Sequence, residues 1–328
     1  MKAGLGLPPA LSAAVDRMLE GTPRKGLAER AARTSQAYRA GQGSAGVIRD
    51  ADDAMAYALT RLPATYAACA AVFGEVARIA PGFAPASLLD AGVGPGAASW
   101  AALETWPEIA AAAWLDASAP FLALAQRLTA DGPAALREAV AHKLDLTAAG
   151  AWPKADFVVA SYALAEIAPD RHAGVVGALW QACEGVLALV EPGTTAGHQR
   201  LLTARDQLIA AGAAILAPCP HAAACPLAAP DWCHFSVRLP RSRDHRIAKG
   251  AEVPFEDEKF AYLVVARPSV GLTTSAARIL AAPRVGKPGI ELKLCGADGS
   301  SQRRVVAKRD KSAYAAARRL GWGDVYDG

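Results

Sequence analysis

Two clusters in this 328-residue chain bring together residue types that do chemistry. The first is Asp90-Ala91-Gly92-Val93-Gly94-Pro95-Gly96. Glycines let a backbone turn sharply and pass close beneath a ligand with no Cβ in the way. A helix that starts after such a turn offers unpaired N–H groups. Gly92, Gly94 and Ala97 satisfy a loose dinucleotide pattern, with Asp116 downstream. No Walker lysine follows the glycines, which argues against a nucleoside triphosphate. The second cluster is Cys219-Pro220-His221, Cys225-Pro226 and Asp231-Trp232-Cys233-His234, with Cys295 a further 62 positions beyond Cys233. Three thiols in the loop and a fourth returning from Cys295 can converge on one metal centre, provided the tail folds back. Zinc prefers tight C-x₂₋₄-C knuckles, which are absent here. An iron–sulfur cube is wider and tolerates this spacing, so on the residues alone both an iron–sulfur cluster and zinc stand. Prolines after Cys219 and Cys225 stiffen the loop. His221 and His234 are read as neighbours of the ligands, not ligands. The C-x₃-C-x₂-C triplet of radical chemistry is absent, so the centre reads as a structural staple. Cys69 and Cys183 are isolated in apolar runs and read as core packing.

The elements that must position these clusters change character along the chain. Residues 11–20, 27–40, 54–62 and 66–79 have helical apolar spacing, with Pro63 dividing the last two. From Ser87 onward strands alternate with helices. Strands are expected at 87–90, 111–116, 142–146, 156–161 and 185–191, and helices at 97–103, 120–130, 171–182 and 196–211. Such alternation predicts right-handed crossovers and a parallel sheet covered on both faces. Two later strands, 234–239 and 259–266, flank a charged loop that contains Glu256-Asp257-Glu258. The tail, 287–328, holds two strand-like pieces and a basic helix at 312–320.

Hydrophobic residues make up 52% of the chain, enough for a large core, and aromatics only 6%. No apolar run of about 20 residues lacks charges or breakers, so no membrane partner is expected. Met1-Lys2-Ala3-Gly4 leads to Pro8 and Pro9 instead of an apolar signal core, and the expected location is cytoplasmic. In a reducing cytosol clustered cysteines mean metal more often than disulfides. From residue 234 onward 18 Lys or Arg stand against 10 Asp or Glu, a net +8, leaving −4 on the remainder of this +4 chain. A basic C-terminal third suggests an anionic partner.

The glycine turn also resembles motif I of S-adenosylmethionine methyltransferases. That resemblance implies an α/β, Rossmann-like class I sheet of five parallel-type strands closed by a late hairpin. It would be preceded by N-terminal helices and followed by a cysteine-rich metal-binding extension. It also implies S-adenosyl-L-methionine as cofactor. Asp90 would orient the methionine moiety, with Gly92, Gly94 and Gly96 passing beneath. Asp116 would bond the ribose, Asp145 would sit near the adenine amine, and Ser161 would complete the set.

Residues 88–96, Glu191-Pro192-Gly193-Thr194, residues 219–235 and Glu256-Asp257-Glu258-Lys259-Phe260 follow one another in an order that resembles the small-ribosomal-subunit methyltransferase-like family of mitochondria and bacteria. Its mitochondrial members act in assembly of the small subunit. The resemblance runs from about residue 55 to the end. It implies a [4Fe–4S] site on Cys219, Cys225, Cys233 and Cys295, and association with small-subunit rRNA. Arg238, Arg241, Arg243, His245, Arg246 and Lys249 would form a basic stripe. Lys308, Arg309, Lys311, Arg318 and Arg319 would add phosphate contacts. Four regions are expected: N-terminal helices (1–80), the cofactor core (81–216), the cysteine loop with the closing hairpin (217–268) and a basic extension (269–328). The position after the fourth strand reads Ser161-Tyr162-Ala163-Leu164-Ala165-Glu166, without the Asn/Asp-Pro-Pro-aromatic motif of base N-methyltransferases. Three functions therefore stand: an rRNA methyltransferase, a non-catalytic RNA-binding assembly factor, and a small-molecule methyltransferase with structural zinc.

Overall fold

A computed structural model describes residues 5–39, 46–271 and 276–328. The stretch Met1-Lys2-Ala3-Gly4 and the expected helix end at Ala40 lie outside the described residues. The chain opens with helices Pro9–Leu19 (α1), Arg24–Arg39 (α2) and Ala51–Ile79 (α3). The break expected at Pro63 does not occur, and α3 runs through it for 29 residues. Proline removes one helical hydrogen bond at a cost of roughly 3 kcal/mol. Leu59, Leu62 and Tyr66 are buried around it, and burying each is worth about 1.5–3 kcal/mol. Burial therefore outweighs the break. Asp50 starts the helix by accepting the N–H of Asp53.

The main sheet follows. Ser87–Ala91 (β1) leads into Ala97–Thr105 (α4), and Ala111–Asp116 (β2) into Ala119–Leu128 (α5) and Ala134–Arg137 (α6). Val140–Lys143 (β3) is followed by Ala155–Ser161 (β4), then His172–Ala182 (α7), Cys183–Pro192 (β5) and Thr195–Ala210 (α8). Ala214–Ala217 (β6), Phe235–Pro240 (β7), Arg243–Lys249 (α9) and Phe255–Ala266 (β8) complete it. Strand order is β3-β2-β1-β4-β5-β8-β6. The first five strands pair in parallel, and β8 runs antiparallel to β5 and β6. This is the Rossmann-like methyltransferase arrangement, a mixed sheet with helices on both faces. Alternate residues of one strand enter opposite cores: Phe157 and Val159 lie with α3 and α4, Val158 and Ala160 with α7 and α8.

The late hairpin forms, because β7 pairs antiparallel with β8 over Phe235↔Phe260 to Pro240↔Phe255. Glu256-Asp257-Glu258 is strand, not loop, since the other half of β8 is locked between β5 and β6 and carries the strand outward. Around this hairpin two elements, β6 and α9, were absent from the expectation, as was the short helix α6 earlier in the sheet. At four residues β6 is too short to show a period. The helix α9 is marked by Ser242, whose hydroxyl accepts the N–H of His245, and by Gly250 in the left-handed region at φ 59°.

The tail is a second sheet, not two isolated strands. Ala277–Ile279 (β9), Arg284–Val285 (β10), Gly289–Cys295 (β11), Ser301–Ala307 (β12) and Val325–Tyr326 (β13) form it, with Lys311–Ala317 (α10) packed alongside. Ile279, Ile290, Leu292, Leu294, Val306 and Tyr326 make its own small core.

Candidate functional site

The glycine turn lies where β1 ends, between β2 and β4. This is the crevice at which the winding of the sheet reverses and in which ligands of such folds bind. Gly92, Gly94 and Gly96 have φ of 78°, 53° and 90°, a region that β-carbons disfavour. A Cβ on Gly92 would stand 2.9 Å from the Ala163 Cβ, so glycine is required twice over. The N–H of Gly92 donates to Leu115 O at 2.7 Å, and that of Gly94 to Asp116 Oδ2 at 2.8 Å. The other Asp116 oxygen accepts from Ser118 N–H. Burial raises the Asp116 pKa, against these two N–H donors.

Asp90 is fully buried. Its Oδ2 accepts from Ser99 Oγ at 2.7 Å, and Ser99 in turn accepts from Trp114 Nε1. The other oxygen, Oδ1, has no protein partner. Burial pushes the carboxyl up to about 7. Asp90 thus braces α4 against β2 and leaves one acceptor beneath the turn. Ser161 ends β4 near the buried Cys69 thiol. Asp145 is exposed and accepts the N–H and hydroxyl of Thr147, which lowers its pKa. The structure therefore gathers Asp90, Asp116 and the glycines at one turn, while Asp145 faces solvent at its rim.

After β4, Tyr162 holds φ 59°, the one non-glycine residue with positive φ among those described. Its hydroxyl donates to Glu258 Oε1 at 2.8 Å, Arg61 grips the same carboxylate, and the Arg61 guanidinium lies 5.6 Å from the ring centre. Burial and the Glu258 charge hold the phenol protonated. The place where base methyltransferases keep an acceptor-binding group is occupied by this internal network.

The cysteines come together. Cys219, Cys225, Cys233 and Cys295 line one cavity of about 40 Å³, with His198, His221, Arg205 and Arg278. The tail does fold back: Cys295 ends β11, and its Sγ lies 3.4 Å from His221 Nε2. Among the described residues no three such donors stand close enough to enclose a single ion. Burial pushes Cys295 up to about 12 and Cys233 well above the usual thiol range, and the neighbouring thiols push the same way. His234 instead stacks on Trp232 and meets Trp322 edge-on. Cys69 and Cys183 are buried core residues, as their contexts predicted.

Two arginines to which no sequence motif pointed complete this cavity. Arg205 is 2% exposed and donates through Nη2 to His221 O and Ala223 O. Arg278 is 1% exposed and donates to Pro218 O, Gly323 O and Glu75. A signal existed for Arg205: it falls between Leu201 and Leu208 at helical spacing, on the apolar face of α8.

The basic stripe is partly neutralised. Arg238 forms a two-pronged pair with Asp257 at 2.7 Å, while Arg241 and Lys249 both meet Glu256. His245 is buried against the same Glu256. Arg246 donates to the Glu252 carbonyl, and Arg243 is exposed. Lys308, Arg309, Lys311, Arg318 and Arg319 are all exposed on the second sheet and its helix.

Among proteins of known family, residues 51–327 match the family model described as "Mitochondrial small ribosomal subunit Rsm22". The human protein "Ribosome assembly protein METTL17, mitochondrial" is 30% identical over 293 residues, which cover 83% of this chain and 62% of that relative's length. Similar solved structures include magnesium protoporphyrin IX methyltransferase from Synechocystis PCC 6803 with bound SAH, at 14% identity and TM-score 0.42 over 62% of this chain and 83% of that one. The N-methyltransferase NodS from Bradyrhizobium japonicum WM9 shows 11% identity and TM-score 0.40 over 61% and 87%.

Proposed function

The chain belongs to the Rsm22 family of the mitochondrial small ribosomal subunit, and from that premise we propose that it assists assembly of the small ribosomal subunit in the reducing cytoplasm, binding small-subunit rRNA through a methyltransferase core stapled by a [4Fe–4S] cluster. The observation that carries this reading is the convergence of Cys219, Cys225, Cys233 and Cys295 on one cavity from two distant segments. The donor set suits the group. Four soft thiols line one cavity, the ligand type that iron–sulfur clusters take, with zinc as the alternative. When bound, the cluster supplies cross-linking, tying the 219–233 loop to the second sheet. The kinship to a ribosome assembly protein supports the ribosomal role.

S-adenosylmethionine is the proposed ligand of the glycine turn. Asp90 Oδ1, buried and unpartnered, suits a cationic amino group, and Asp116 keeps lone pairs for ribose hydroxyls. The Tyr162–Glu258–Arg61 network favours binding of this cofactor without methyl transfer to RNA.

Anaerobic purification tests the reading, with an ultraviolet–visible spectrum, iron, sulfide and zinc analysis, and sequencing of copurified RNA. A broad absorption band near about 400 nm, with iron, sulfide and small-subunit rRNA, is expected. Zinc in a colourless protein without rRNA would replace it with the small-molecule methyltransferase reading. Methylation of small-subunit rRNA by the wild type, abolished by Asp90→Ala, would overturn the non-catalytic part alone.

A further inference from the structure

We infer that Arg205 and Arg278 are the charge-balancing hydrogen-bond donors of the four-thiol centre, acting on its sulfurs from the α8 and β9 parts of the cavity lining. This rests on the metal occupancy proposed above. Both side chains line the cavity with the four cysteines. Each already holds part of the surrounding chain, and each has a buried nitrogen left without an acceptor. Arg205 clamps the loop between Cys219 and Cys225 through two carbonyls, at 2.9 Å to His221 O and 2.7 Å to Ala223 O, while its Nε has no protein acceptor. Arg278 holds Pro218 O at 3.0 Å, Gly323 O at 2.8 Å and Glu75 at 2.5 Å, while its Nη2 has none. A buried N–H without an acceptor is costly. A thiolate or sulfide in the cavity would supply one to each.

The charges agree with this assignment. Four thiolates around a centre of charge +2 leave −2 in a buried place, which needs compensation. Arg205 brings +1; its neighbour Asp206 is 76% exposed and screened by water. Arg278 and Arg78 share the single carboxylate of Glu75, for a net +1. Together they supply +2. Lys293 and Asp231 cancel each other. Buried arginine suits this task better than lysine because its fork donates in several directions at once. Hydrogen bonds and positive charge at the sulfurs are among the levers that set a cluster's reduction potential.

The test uses the full chain purified anaerobically with its metal, as wild type, Arg205→Gln, Arg205→Lys and Arg278→Gln. The readouts are the midpoint potential by redox titration and the rate of metal release to a chelator. Removing a cation beside the cluster favours the oxidised form. In Arg205→Gln the reduced-to-oxidised ratio at the wild-type midpoint should fall about tenfold, a shift of ~59 mV for one electron. Metal release should quicken by a similar factor. Arg205→Lys, which keeps the charge, should recover most of the potential. A role confined to holding the loop would speed release without moving the potential. Arg278→Gln removes a fully buried ion-pair partner and is read only where it folds; Arg205 carries the test alone otherwise. Wild-type protein with a cluster and Arg205→Gln with unchanged potential would overturn the donor role and leave the cluster standing. Wild-type protein with zinc would shift the test to release rate, where an unchanged Arg205→Gln again overturns the role. Wild-type protein without metal would bring down both.

Discussion

Seven consecutive residues, 90–96, build the glycine turn, whereas the thiol cavity takes its walls from α8, the 219–233 loop, β8 and the second sheet. The backbone of the turn is satisfied by β2: its N–H groups bond Leu115 and Asp116, its φ angles are ones that glycine adopts freely, and Asp90 Oδ1 is left as its unpartnered atom. The cavity is not so satisfied, with buried thiols and spare arginine N–H groups facing a shared space. A site made by one local motif can lose its ligand and keep its shape. A site made by distant segments is also the joint that holds those segments together.

That contrast can be broken most forcefully at Cys295. If the cavity is a joint, Cys295→Ser should undock the second sheet and cost on the order of 5 kcal/mol, since the energy of binding a structural metal is folding energy. Hydrogen exchange reads it directly: protection of residues 276–328 collapses while β1, β4 and β5 stay protected. Equal protection of the second sheet in the variant would refute the joint.

At the turn, Gly92→Ala places a Cβ 2.9 Å from Ala163 at φ 78°. Strain of this kind costs about 1–3 kcal/mol. Calorimetry should show S-adenosylmethionine affinity reduced at least tenfold, with protection of the second sheet unchanged. Loss of metal from this variant would mean that the two sites are not independent.

A subtler probe is Asp90, whose carboxyl is raised to about 7 from an unfolded value near 4. A raised acid contributes stability that is fully present below about pH 4 and is lost as pH rises through 7, because the folded state binds the extra proton. Asp90→Asn keeps an acceptor for Ser99 and has no charge to bury. Relative to wild type, it should gain about 2–3 kcal/mol between pH 5 and pH 8. Glu191, also raised to about 7, is common to both proteins and cancels. Parallel stability curves across this range would show Asp90 to be solvated.

The parallel half of the fold was open to reading because its strands are buried on both faces and its turn residues are unusual. The Ala111–Asp116 strand falls where its pattern put it. The convergence of Cys295 with the loop thiols was an expectation from residue type and family resemblance together, conditional on the tail folding back, and the four thiols do line one cavity. Pro63 misled because a local rule yields when the flanking turns are buried. The second sheet was hidden because strands of two and three residues, such as β9, β10 and β13, carry no periodicity. Arg278 was hidden for a similar reason: its partners Glu75, Pro218 and Gly323 are far away in sequence, so nothing local marks it as buried.

The smallest expected effect concerns the cations, which divide along the same line as the two sites. On β7 and α9 the acids of β8 lie directly opposite: Arg238 pairs with Asp257, and Arg241 and Lys249 with Glu256. Charges cancelled within the fold release few counterions when RNA arrives. On the second sheet Lys308 and Arg309 are exposed beyond the end of β12. Binding of a small-subunit rRNA fragment, measured across a salt series, should separate the two groups. Lys308→Gln with Arg309→Gln should weaken binding a few-fold and flatten the salt slope by roughly 0.7–0.9 for each phosphate no longer neutralised. Arg238→Gln with Asp257→Asn removes a pair of no net charge and should leave the slope as it was. The reverse outcome would move the RNA interface back to β7 and make the ion pairs there open on binding.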